Sequence, residues 1–80
     1  MKRKGDRLQQ IESSLSIIGS RLHDLRKQRD DLEATLRRKR KPETRDLIAA
    51  RIAVVDSQIK AAETEEWEAD DERYDLIWRR

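Results

Sequence analysis

Eighty residues, 45% of them charged and 35% hydrophobic, leave room for one small domain and exclude a second core. Nineteen Lys and Arg nearly balance seventeen Asp and Glu, and the resulting net charge of +2 is modest for a dedicated nucleic-acid binder. The chain has no Cys, which excludes a disulfide framework or a thiolate metal site and suits a reducing compartment such as the cytoplasm.

The N-terminal Met1-Lys2-Arg3-Lys4 is basic, but no apolar segment follows it as a secretory signal requires. From Leu8 onward the dominant signal is periodicity. Leu8, Ile11, Leu15, Ile18, Leu22, Leu25, Leu32 and Leu36 recur at alternating steps of three and four, with Arg29 filling the one polar position of the series. That is a heptad seam, and it predicts a helix over about residues 6–39. Such regular spacing argues against a disordered chain, despite the high charge. Gly19 lies inside this helix, where it marks either a kink, a close helix approach or a mild local weakening.

Arg37 to Lys41 are five consecutive cations, and they complement the negative end of the first helix. Pro42 suits the first position of a second helix, since it has no amide hydrogen to satisfy and its φ is already near the helical value. Glu43 and Asp46 then fall in the positive first turn. A bend over about residues 40–42 is short enough to force antiparallel neighbours. Each arm is expected to run on the order of 50 Å at ~1.5 Å per residue.

The second helix, expected over about residues 42–78, carries its own seam in Ile48, Ile52, Val55, Ile59 and Ala62. Folding back at Pro42 sets Ala62 against Leu22, Ile59 against Leu25, Val55 against Arg29 and Ile52 against Leu32. The fold class is therefore all-α, an antiparallel two-helix hairpin resembling a coiled coil. Arg29 reads as a polar register-setting residue with Asp56 as counter-ion. Continued further, the same scheme places Glu66 opposite Ile18 and Arg73 opposite Ile11, so the seam turns polar. A rotation of the buried face by about one residue, roughly 100° around the helix, would instead bring Trp67, Tyr74 and Trp78 to the first arm, with Ile17 near Trp67.

A separate line of small and aliphatic residues, Leu47, Ala50, Val54, Ser57 and Ala61, cannot be covered by the same hairpin. Two helices bury little, so the expectation is a homodimer packed as a four-helix bundle, with Leu47, Ala50, Val54 and Ala61 at its interface. The competing reading has Ala50 and Ala61 present for helix propensity alone, leaving Leu47 and Val54 partly exposed.

Enzyme chemistry has little support, because a rod of two helices offers convex surface and no pocket of convergent polar groups. His23 is the single histidine and lies beside the seam residue Leu22, where a solvent-facing role is simplest. Gly5 and Gly19 are too far apart for a phosphate loop. The pairs Asp30-Asp31 and Asp70-Asp71 point in different directions on a helix and read as solvated charges. No metal or cofactor is expected.

Two charged blocks remain as candidate sites. The basic bend, Arg37, Arg38, Lys39, Arg40 and Lys41, offers phosphate contacts but no aromatic residue to stack on a base. The second block runs from Glu63 to Trp78, and Trp67, Glu68, Asp70, Asp71, Tyr74, Ile77 and Trp78 are its candidate partner-binding residues. Rigid aromatics provide anchor area, and the carboxylates around them steer a basic protein surface. The internal alternative is that these acids complement Lys2, Arg3, Lys4 and Arg7 of the first arm.

The leading expectation is thus a non-enzymatic protein that binds another protein as a small inhibitor or adaptor, with nucleic-acid binding at the bend or a structural oligomerisation segment as alternatives. Small accessory proteins of bacteriophages resemble the chain in size and economy, a resemblance of architecture with no shared motif.

Overall fold

The computed structural model describes residues 4–78, and of Lys4 the backbone alone. Two helices account for nearly all of it: α1, Lys4–Arg38, and α2, Pro42–Trp78. Neither contains an internal proline, and Asp6 and Glu43 sit in their first turns. The pair forms a rod with extents of 59 × 19 × 15 Å.

The bend is closed mainly by one side chain. The Lys39 amide donates to the Thr35 carbonyl at 3.1 Å, and the Arg45 amide donates to the Lys41 carbonyl at 3.0 Å as α2 begins. The Arg45 guanidinium then reaches back across the bend, donating to the carbonyls of Leu36 at 2.8 Å and Lys39 at 2.9 Å. The Leu36 carbonyl belongs to the last turn of α1, where backbone acceptors lack intrahelical donors, and the Lys39 carbonyl to the bend just beyond it. Arg45 therefore ties the start of α2 to the finish of α1. Among the described residues no backbone adopts positive φ, so this cap replaces the glycine cap that many helices use.

Leu22, Leu25, Val55, Ile59 and Ala62 form the buried core, with Ile18 and Leu32 packed against it. The antiparallel sense is also visible in the ion pairs across the seam: Arg7 with Glu72 at 2.6 Å, Arg26 with Glu63 at 3.9 Å, and Arg29 with Asp56 at 3.4 Å. As the α1 number rises, its partner's number falls. All three pairs are substantially exposed, so they set register and contribute little energy.

Beyond Ala62 the buried face does not rotate. Ile17 is 70% exposed and Trp67 69%, so the expected approach of Trp67 to Ile17 is incorrect, and Tyr74 and Trp78 border α1 only through a shallow cleft that includes Glu12. Glu66, Ala69, Arg73 and Leu76 are half-buried and continue the three-and-four spacing of the seam, with Glu72 and Asp75 half-buried beside them. Ile11 is 3% exposed at the level of Arg73. Long polar side chains can lay their aliphatic stems along an apolar seam while their heads reach water, which lets the helix keep one register to its end.

Of the alternatives for Gly19, the kink and the close approach are absent, which leaves a mild local weakening. A Cβ built there meets nothing within 4 Å, so no close helix approach calls for glycine, and α1 runs through the position unbroken.

Candidate functional site

Straight continuation of the seam turns a second face of α2 away from α1. Its centre line is Ala50, Ser57, Thr64, Asp71 and Trp78, seven residues apart. Ala53, Lys60, Trp67 and Tyr74 flank it on one side, and Leu47, Val54, Ala61 and Glu68 on the other. Every one of these residues is exposed. The sequence-predicted dimer residues Leu47, Ala50, Val54 and Ala61 and the predicted docking aromatics therefore lie on one continuous surface. Sequence reasoning treated them as two surfaces and did not include Ala53, Lys60 and Thr64. The missing signal was the spacing itself, which runs from Leu47 to Trp78 once Thr64 is counted.

The two halves of this face differ in relief. From Leu47 to Thr64 it is low, built of alanine, serine, threonine and aliphatic residues, with Lys60 the one long polar side chain. From Trp67 to Trp78 it is high. Tyr74 is 60% exposed and Trp78 69%, their ring centroids 6.5 Å apart and tilted by 39°. Ile77 stands beside them, 47% exposed. The Arg73 guanidinium holds Asp70 at 2.6 Å, and both line a shallow cleft of about 200 Å³ with Glu12, Tyr74, Ile77 and Trp78.

The acids of this region separate into two kinds. Glu72 receives both hydrogen bonds of the Arg7 guanidinium nitrogen, at 2.7 and 2.6 Å, and Glu63 faces Arg26. Those two complement α1, as the internal alternative supposes for Arg7; Lys2 and Arg3, and the side chain of Lys4, lie outside the described residues. Glu68 and Asp71 stay exposed on the outward side, between the aromatics.

The basic bend sits at the opposite end of the rod. Arg37 to Lys41 are all exposed, and only Arg38 is turned to the backbone, donating to the Ala34 carbonyl at 3.5 Å. His23 is exposed on α1. Among the described residues no three His, Asp or Glu side chains gather to hold a metal ion, and no helix is long and apolar enough to cross a membrane.

The arrangement is suited to docking. Large rigid anchors, exposed carboxylates and a low track of small and aliphatic residues run along about four fifths of the 59 Å rod at ~1.5 Å per residue, and among the described residues no polar groups converge on an enclosed space. No protein-family model, no curated protein and no solved structure matches the chain.

Proposed function

We propose that this chain is a non-enzymatic protein–protein interaction module, acting as a small inhibitor or adaptor through the outward face of α2. One observation carries the reading: Trp67, Tyr74 and Trp78 stand 60–69% exposed on a single helix face. Folding alone gives no reason to leave three aromatics in water along one line, whereas Trp and Tyr are enriched at the anchors of protein interfaces. Glu68 and Asp71 between them favour an approaching surface with basic groups at its rim. A second hairpin on this face would set four helices side by side with the two α1 outermost, in place of the bundle around one core expected from Leu47, Ala50, Val54 and Ala61 alone.

The test is the combined replacement Trp67→Ala, Tyr74→Ala and Trp78→Ala. Because these side chains lie outside the core, the variant is expected to keep its far-ultraviolet helical signal while losing association with any partner recovered by the unmodified chain. Unfolding of the variant would show that the aromatics serve the hairpin and not a partner.

Nucleic-acid binding at the bend is a second reading, supported by five consecutive exposed cations at one tip. Replacing Arg37 to Lys41 by Ser should abolish a salt-sensitive affinity for duplex DNA, with log K changing by about 0.9 per phosphate contact against log salt. Absence of such affinity in the unmodified chain removes this reading.

A further inference from the structure

Resting on the docking face proposed above, we infer that its occupant is a second copy of this chain. The two α2 helices run antiparallel about a two-fold axis at Thr64, and the aromatics of each copy seat in the low half of the other.

Relief gives the first argument. A two-fold axis at Thr64 sets Trp67 opposite Ala61, Tyr74 opposite Val54 and Trp78 opposite Ala50. A side chain packing onto a facing helix enters the hollow between residues spaced three, four and seven apart. For Tyr74 the hollow is Ala50, Ala53, Val54 and Ser57; for Trp67 it is Ser57, Lys60, Ala61 and Thr64. Tyr74 thus meets small side chains, and Trp67 meets three small side chains and the stem of Lys60. Parallel pairing sets ring against ring, and so does an axis moved toward the C-terminus, where Trp67 meets Tyr74; an axis moved half a heptad toward the N-terminus carries Trp78 out to Glu43 in the first turn of α2. An isologous contact of this kind closes on itself and needs no further partner.

Charge agrees with the same sense. Glu63, Glu65, Glu66, Glu68, Asp70, Asp71, Glu72 and Asp75 outnumber the bases of that half, Arg73 with Arg79 and Arg80, even with Glu63 and Glu72 paired to α1, whereas acids and bases balance from Pro42 to Ala61. Parallel helices would stack the two acidic halves; antiparallel helices lay each along a neutral one. Lys60 is the one cation on the outward face, and it falls beside Trp67 of the second copy, where an ammonium over an indole is favourable.

The area is sufficient. Rings of roughly 150–250 Å² that are two-thirds exposed contribute about 600–1,000 Å² from six aromatics, and the surface they cover roughly doubles that. Stable interfaces bury about 1,200–2,000 Å².

Sedimentation equilibrium should give twice the 9.5 kDa chain mass. The chain has no cysteine, so single thiols report the register directly. Thr64→Cys should cross-link to itself with a short bismaleimide. Ala50→Cys alone should not, but it should when mixed with Trp78→Cys. Ala61→Trp fills the hollow for Trp67 and should raise the dimer Kd by about 10- to 100-fold with the helical signal unchanged. A monomer at about 0.1 mM, a hundredfold above a micromolar Kd, overturns the inference, as does self-cross-linking of Ala50→Cys without that of Thr64→Cys. If the chain is monomeric yet captures another protein through Trp67, Tyr74 and Trp78, the docking reading survives and the self-association fails. If the triple alanine variant leaves every association intact, the docking reading itself fails.

Discussion

The outward faces of α1 and α2 have nearly the same length, the same helical geometry and the same position relative to the seam, yet they differ in chemistry. On α1 the centre line is Asp6, Ser13, Ser20, Lys27 and Ala34, flanked by residues such as Gln9, Ser16, His23, Gln10 and Asp24. Ile17 is its single large exposed apolar side chain. On α2 the corresponding line and flanks expose Leu47, Val54, Trp67, Tyr74 and Trp78. A hairpin that needed only its own seam would solvate both faces alike, so α1 serves as an internal control. The apolar excess on α2 has no counterpart on α1, and it is this difference on which the proposed docking rests.

The largest expected effect separates the seam from both faces. Leu22 is 1% exposed, at the centre of the core. Leu22→Ala should cost about 2–5 kcal/mol, enough to unfold so small a domain by circular dichroism at 25 °C. The triple alanine change on the α2 face should leave the hairpin helical. If the two variants unfold alike, the α2 face belongs to the core and the contrast with α1 is lost.

Arg29→Leu tests whether the seam itself gives up stability for register. The guanidinium occupies an inward position and bonds Asp56 at 3.4 Å, with the two side chains 34% and 45% exposed. A pair so accessible to water contributes about 0–1 kcal/mol, while leucine would add apolar burial between Leu25 and Leu32. A net gain of about 1 kcal/mol corresponds to a melting temperature raised by roughly 4–8 °C. A lower melting temperature would assign Arg29 a structural role larger than register.

Gly19→Ala should stabilise by about 1 kcal/mol, since the helix continues through Gly19 and the added methyl has room. Thermal melting measures it. A loss would point to an approach at Gly19 by a neighbouring molecule, on the side of the rod where α1 is otherwise polar.

How much of this was legible in the sequence depended on how each residue type earns burial. Aliphatic positions such as Leu22, Leu25, Val55 and Ile59 have one favourable place in water, so spacing alone located the hairpin and its pairing. The continuation past Ala62 was misjudged because Glu66 and Arg73 were read by their heads; their stems can lie along the seam beside Ala69 and Leu76. That error moved the aromatics toward α1 and hid the unity of the outward face. Arg45 was not legible either, because capping two carbonyls across a bend depends on the bend's geometry and leaves no periodic trace.

The smallest effect is the sharpest probe of the contrast. Ile17 is as exposed as Trp67, so exposure alone would rank it as an equal anchor. Its surroundings differ: Ser13, Ser16, Ser20 and Asp24 lie around it, and no second large apolar side chain stands within a turn on that outward side. An isolated apolar residue on a solvated helix carries little energy, whereas clustered anchors act together. Ile17→Ser should therefore change stability by less than about 0.5 kcal/mol in thermal melts and leave association unchanged by sedimentation. Dissociation by Ile17→Ser would extend the contact surface onto α1 and end its use as the solvated reference.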